Sequence, residues 1–351
     1  MWAARLMLSS KGLKKLLKAT SGHGCRYMTH NMVVMADADI IRLAVIQRRH
    51  PVPRGSTRIF APGECMEYDA WGPAGAVSAN GNERFDLHAI CVTTGYTYAR
   101  KSTNHTASTV LTFLADVQTY EHALDHKMLI VRMDRAPEHV GDEMAIGMRA
   151  LRIKLEHTPR YHHEGVGNAE SANDPTQRMA EASTRRANLT LGYILDARMF
   201  AWHCRNLRCA ADREQTRHEA HTGLRPDFAR MPKPYLFGAR CIVLQDPGVR
   251  GAKGSLTAPR SVEGTFIGIE GSAYLVRLDS GGLVRERHIR VTNERQLLMR
   301  GMPAGSTAKD DSAQTESHPH RGLMAVLKLA KVPTARLPAC RASPSTSSPA
   351  L

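Results

Sequence analysis

The sequence predicts an α/β fold: a mixed sheet flanked by helices, followed by a small β-rich unit and a disordered tail. Three observations predict it. Between about 60 and 215 the chain reads as three strands, helix, strand, helix, strand and helix. One of those strands, Met128–Met133, is an apolar run broken only by Arg132, as expected of a buried central strand. Past 240, short β-rich runs alternate with Pro, Gly and Ser, and past 303 the chain turns to Ser, Thr, Pro, Ala and charge.

The elements follow in order. Glu67–Trp71, Leu87–Thr94 and Tyr96–Lys101 read as strands, with Gly95 punctuating the last two. Thr106 to Ala123 places Val110, Leu111, Leu114, Val117 and Ala123 near helical spacing, with Thr106 or Ser108 as cap. Asp142–Leu151 reads as a second helix and Arg152–His157 as a strand stopped by Thr158-Pro159. A long helix is expected from Asp174-Pro175, with Asp174 as cap and Pro175 in the first turn, to about Asp212. Cys241–Leu244, Ser261–Ile269, Ala273–Leu278 and Leu283–Ile289 suit a small β-barrel, with Asp279-Ser280-Gly281-Gly282 as a hairpin turn. Leu323–Val332 can form one basic amphipathic helix in the tail.

The 351 residues carry a formal net charge of +15, which favours a polyanionic partner such as nucleic acid. With 42% hydrophobic but only 5% aromatic residues, the core must rest on Leu, Val, Ile, Ala and Met. The seven cysteines are odd in number and contain no Cys-x-x-Cys pair, which argues against a secreted disulfide framework. No apolar run approaches the ~18–20 residues that cross a bilayer, so no membrane partner is expected. The first 36 residues lack Asp and Glu and mix basic with apolar side chains, compatible with a basic arm or a transit peptide.

Three carboxylates stand out: Asp69 on the first strand, Asp134 at the end of the central strand, and Glu170 after the glycine-rich segment 164–169. Thirty-five residues (170 − 134 − 1) separate the last two. Carboxylates from separate elements can hold two hard divalent ions, and such a pair activates a nucleophile and stabilises a leaving oxygen in phosphoryl transfer. With 33 acidic residues, spacing alone is weak evidence, and the surrounding residues decide.

Those residues resemble the integrase of copia-type long-terminal-repeat retrotransposons across roughly 55–300. Glu67-Tyr68-Asp69-Ala70-Trp71-Gly72-Pro73 is similar to the family's Asp-x-x-Gly-Pro signature. Tyr96 to Ser102 looks like the following hairpin strand, Asp134 to Glu138 like the Asp-Asn-Gly-x-Glu segment, and Tyr161 to Glu170 like the turn before the third acid. Ala197-Arg198-Met199 with Trp202, Leu236 to Ala239 and Gly264 to Gly268 resemble the downstream segments, ending in Tyr274-Leu275-Val276. The resemblance implies a ribonuclease-H-like core over 56–215 between a basic segment (1–55) and a β-rich unit (216–300), with the disordered tail at 301–351. It implies DNA end processing and strand transfer, with Asp69, Asp134 and Glu170 as catalytic residues that bind Mg²⁺ or Mn²⁺. It also implies DNA as partner, a homo-oligomer that brings two DNA ends together, and a nuclear location. Lys101, Arg178, Arg185 and Arg186 are the expected DNA contacts.

The departures are specific. Arg135-Ala136 replace the family's Asn-Gly, Ser171 replaces an Arg, and Pro175 lies five residues past Glu170. They support an alternative: a catalytically decayed relic that acts only as a DNA-binding module. The family's upstream zinc module is incomplete, because His23, Cys25 and His30 are followed by no Cys pair before Cys65. Cys204-x4-Cys209-x8-His218-x2-His221 departs from zinc-finger spacing. Gly165-x-Gly167 is too short for a nucleotide loop; His162-His163, just before Glu170, could touch a phosphate or a metal-bound water, although paired loop histidines more often have no specific role.

Overall fold

The computed structural model describes residues 10–21, 59–76, 78–158, 167–210, 213–244 and 261–293. His162-His163, Gly165, the upstream His23, Cys25 and His30, and the tail with its expected Leu323–Val332 helix lie outside these residues. The chain divides into two compact units, Met1–Ala304 and Gly305–Leu351, and every described residue belongs to the first.

Helix α1 (Ser10–Ala19) precedes the first sheet. Strands β1 (Cys65–Trp71), β2 (Phe85–Cys91) and β3 (Thr97–Ser102) form an antiparallel meander. Helix α2 (Ala107–Ala123) then crosses to β4 (Ile130–Met133), and α3 (Asp142–Ala150) crosses to β5 (Lys154–His157). Both β4 and β5 continue the sheet in parallel, so its order is β3-β2-β1-β4-β5. This is the mixed, ribonuclease-H-like arrangement that the sequence predicts.

Strand alternation sends side chains to two faces. Met66 and Tyr68 of β1, with Leu87, Ala89 and Cys91 of β2, pack against Val110, Phe113, Leu114 and Val117 of α2 and Met144 and Met148 of α3. The opposite face carries Glu67 and Asp69, with Asp86, His88 and Ile90. It is covered by α4 (Gly167–Ala187) and α5 (Ile194–Asn206), which bring Ala169, Ala172 and Trp202 against Ile90.

Two helix expectations need correction. Helix α4 begins at Gly167, so Pro175 is inside the helix and Asp174 is not its cap. The first turn is held from outside: Glu67 Oε2 accepts the amides of Asn168 (2.9 Å) and Ala169 (3.2 Å), two of the donors that a helix start leaves unpaired. The long helix also does not run to Asp212. Asn188 at φ 54° ends α4, and α5 starts afresh after a short 3₁₀ turn, Leu191–Tyr193. The strand expected from Arg152 begins at Lys154, because Arg152 turns out of α3 at φ 57°.

Thr216 caps the short α6 (Arg217–Thr222) by accepting the Glu219 amide at 3.0 Å. The second sheet holds β6 (Arg240–Leu244), β7 (Ser261–Glu270), β8 (Ala273–Leu278), β9 (Leu283–Glu286) and β10 (Ile289–Val291) in the order β10-β6-β7-β8-β9. The expected strand Leu283–Ile289 is therefore two strands on opposite edges. Only Arg287 and His288 join them, and three Cα steps reach roughly 11 Å, so the sheet must curl until its edges approach. Gly281 (φ 93°) and Gly282 (φ 86°) form the tight turn before β9.

The basic N-terminal segment is partly built into this unit. Leu16 is buried in the apolar cluster around α5 and the second sheet. The Ser21 amide donates to Pro226 O at 3.0 Å, and the Phe228 amide donates to Ser21 O at 2.9 Å. Among the described residues, no helix is long and apolar enough to cross a membrane.

Candidate active site

Parallel pairing places two of the three acids. The β1–β4 register runs Cys65–Ile130, Met66–Val131 and Glu67–Arg132, a constant offset of 65. Asp134 directly follows the last residue of β4, and the same offset carried two residues past the last pair would align it with Asp69, at the end of the sheet where both strands finish. The third acid comes from α4. Glu67, two residues before Asp69 on the same face, fastens the first turn of that helix, and Asn168 Nδ2 adds a bond to Glu67 Oε1 at 3.1 Å. Glu170 stands exposed in that turn. One helical turn on, Asn173 donates from Nδ2 to Asp69 Oδ2 at 2.9 Å. Glu170 and Asn173 are three apart and share a helix face, so Glu170 lies on the face of α4 that meets Asp69.

Asp134 has its own support. His139, in the 3₁₀ turn Pro137–His139, donates from Nδ1 to Asp134 Oδ1 at 2.6 Å, and the Ala136 amide donates to the same oxygen at 3.2 Å. The His139 bond is the main cause that holds the Asp134 carboxyl below its ordinary range; burial opposes it. His105 and Glu138 adjoin, with His105 Nδ1 2.7 Å from Glu138 Oε1 and Tyr68 Oη 2.9 Å from His105 Nε2. Potential ligand atoms of His105, Glu138 and His139 lie within 4.8 Å of one another; Asp69, Asp134 and Glu170 do not form such a group.

Behind Asp69 lies a buried polar network that the sequence did not reveal. Arg198 donates from Nη2 to Asn173 Oδ1 (2.6 Å), from Nη1 to Gln177 Oε1 (2.9 Å) and from Nε to Asp86 Oδ2 (2.7 Å). Trp202 Nε1 donates to the same Asp86 oxygen at 2.8 Å. His88, paired with Asp69 in the β1–β2 register, lies against Trp202 with ring centres 4.7 Å apart and planes tilted by 32°. Burial alone would raise the Asp86 carboxyl, but the Arg198 charge, the nearby His88 ring (Nδ1 3.6 Å from Oδ1) and the Trp202 bond bring it down to about 2. The network fixes Asn173, and through it Asp69. Its trace in the sequence was the polar pair Asp86 and His88 alternating with apolar Leu87 and Ala89.

The expected DNA-contacting cations divide. Arg185 is exposed, and Arg178 is partly exposed but paired with Asp174 at 2.8 Å. Lys101 is mostly covered and paired with the buried carboxylate of Asp196 at 2.8 Å. Arg186 is a correction to the shared basic face: it is buried, because helical spacing aligns it with Met179, Ala182 and Ser183 on the inward side of α4. The zinc-finger-like series also disperses. Cys204 sits in the apolar core and Cys209 lies past the end of α5.

No protein-family profile matches the chain, and no curated protein sequence does. Among solved structures it is similar to a chain of the simian T-cell lymphotropic virus intasome in complex with PP2A regulatory subunit B56 gamma. That match has 14% identity and a TM-score of 0.33, covering 67% of this chain and 83% of the other. It is also similar to the HTLV-2 integrase catalytic core domain, solved with magnesium in a trimeric form, at 14% identity and TM-score 0.34, covering 47% and 99%. A third is the BIV integrase catalytic core domain, at 14% identity and TM-score 0.33, covering 45% and 93%. Likeness at this level carries no functional argument, which rests on the residues above.

Proposed function

We propose that this chain is an integrase-type polynucleotidyl transferase core of the copia retrotransposon kind, which processes DNA ends and joins them to target DNA. The observation that supports the reading is the parallel β1–β4 pairing at an offset of 65, which, extended past its last pair, aligns Asp69 with Asp134, together with the first turn of α4 tied to β1 by Glu67. The donor set suits a hard divalent cation, since all three side chains offer carboxylate oxygens. Asp69, Asp134 and Glu170 would hold Mg²⁺ or Mn²⁺, and bound metal would supply charge stabilisation to the attacking and leaving oxygens. Asn173 and His139 act as positioning residues. Asn173 Nδ2–H holds one oxygen of Asp69, and His139 Nδ1–H holds one oxygen of Asp134. The net charge of +15 supports DNA as partner, with Arg185 and Arg178 on phosphates. A homo-oligomer and a nuclear site of action belong to the same proposal.

A second reading is the decayed relic that only binds DNA. The same two bonds favour it: an amide and an imidazole already occupy oxygens that a metal would take, and Arg135 follows Asp134. One assay separates the readings. The chain is incubated with a labelled DNA duplex and Mn²⁺, beside Asp134→Asn. Nicking or joining that the substitution abolishes supports the enzyme; equal DNA binding without chemistry in both proteins refutes it.

A further inference from the structure

At the far end of the first sheet, where β1 begins and β2 finishes, a second group of ligating side chains is sealed under α6. Glu121, in the last turn of α2, has a fully buried side chain. His126 Nδ1 lies 2.7 Å from Glu121 Oε2, and His221 Nε2, from α6, lies 3.1 Å from Glu121 Oε1. One ligand atom from each residue falls within 4.8 Å of the other two. Glu121 Oε1 is closed off from solvent and has no hydrogen bond of good geometry among the described residues. A buried carboxylate oxygen in that state calls for a partner.

The neighbours select which atoms face inward. Thr94 Oγ1 is 3.1 Å from His221 Nδ1, which leaves Nε2 as the ring nitrogen that faces Glu121 and that a metal would take by displacing its proton. Tyr96 stacks flat on the His221 ring at 4.5 Å and sets its plane, and the Tyr98 hydroxyl lies 3.2 Å from Nε2. Gly63 (φ 76°) closes the other side, where a Cβ would strike Glu121 Oε2 and His126 Cβ. The site is thus tightly walled and presents two imidazole nitrogens and a carboxylate.

We propose that Glu121, His126 and His221 form a zinc-class metal site that clamps α6 to the end of α2. Two imidazoles and one carboxylate are a known donor set for Zn²⁺, and tetrahedral bonds of about 2.0–2.1 Å separate ligand atoms by about 3.3 Å. The two His–Glu contacts, at 2.7 and 3.1 Å, would open by roughly 0.2–0.6 Å to reach that value, and the two imidazole nitrogens already lie within 4.8 Å of each other. Binding replaces the protons shared in the His–Glu contacts with the cation. The imidazoles disfavour Mg²⁺, so this site is chemically distinct from the three carboxylates at the other end of β1. It accounts for His221, whose finger-like spacing with Cys204 and Cys209 led nowhere in the sequence.

The test uses the full chain, stripped with chelator, dialysed against zinc chloride and assayed for bound metal and thermal unfolding. Wild type and Asp134→Asn are expected to retain about one zinc per chain and to unfold at higher temperature with zinc. His126→Ala and Glu121→Gln, checked for intact secondary structure by circular dichroism, should bind it at least tenfold more weakly and lose the thermal gain. Failure of wild type to retain zinc overturns the proposal. So does equal retention by both variants, or loss of zinc in Asp134→Asn alone. None of these outcomes depends on DNA chemistry.

Discussion

Replacing Glu67 with alanine tests whether a single buried carboxylate sets the start of α4, and with it the position of Glu170. Glu67 accepts three hydrogen bonds from that start: the Asn168 amide (2.9 Å), Asn168 Nδ2 (3.1 Å) and the Ala169 amide (3.2 Å). Losing a helix cap costs about 1–2 kcal/mol. Losing negative charge at a helix N-terminus costs about 0.5–1 kcal/mol more. Relief of burying a carboxylate, the main cause that raises the Glu67 pKa, offsets part of this. The expected net loss is on the order of 2 kcal/mol for Glu67→Ala. Glu67→Gln keeps one acceptor and should lose about half as much. Urea unfolding followed by tryptophan fluorescence measures both, and hydrogen exchange locates the effect. The amides of Asn168 and Ala169 should exchange faster while Val131 in the central strand stays protected. Unchanged exchange at 168 and 169 in Glu67→Ala would refute the reasoning, as would a loss spread evenly over the sheet.

The Asp86 carboxyl, lowered from 3.8 to about 2, stabilises the fold fully above pH 4. That contribution, about 2 kcal/mol, should disappear as the pH falls toward 2; denaturation at stepped pH should show the slope in wild type and a flatter one in Asp86→Asn. Arg185→Ala should reduce the slope of log DNA affinity against log salt by about one at little cost in stability, whereas Arg186→Ala should leave the slope alone and destabilise by about 1 kcal/mol or more. Salt titration of DNA binding beside urea unfolding checks both, and a slope change in Arg186→Ala would overturn the assignment of its side chain to the core.

The strands were legible because their chemistry is local. The apolar run Met128–Met133 contains the buried strand, which is shorter than the run (Ile130–Met133, with Leu129 exposed), and Asp279-Ser280-Gly281-Gly282 shows its turn through glycines that tolerate positive φ. The start of α4 was not legible. A local reading weighs Asp174 and Pro175, but the cap that matters comes from Glu67, 101 residues earlier. The alternation of Asp86 and His88 with Leu87 and Ala89 reads as one wet face and one dry face. Both faces are in fact dry: Arg198 and Trp202 arrive from α5, cover the polar side and bond Asp86 Oδ2. Arg186 misled in the other direction: charge suggested a surface, while its helical phase with Met179 and Ser183 placed it inside. In the candidate site, the acids could be picked out from neighbouring residues, but Asn173 and His139 could not, since each acquires its role only once the sheet and helices meet.

Helix α5 has a consequence for how this chain can vary. Arg198 and Trp202 serve the first sheet, while Phe200 and Cys204, on another side of the same helix, pack into the cluster with Phe237, Phe266 and Val276 of the second. Phe200 meets Phe266 edge-on with ring centres 5.5 Å apart. The two sheets therefore have no seam between them at which a recombining genome could exchange one for a relative's version. Any such graft would inherit half of α5 matched to the wrong neighbour, leaving either Asp86 without its cation or Phe266 without its wall. Drift in the second sheet is in this way answerable to the first, through thirteen residues of shared helix.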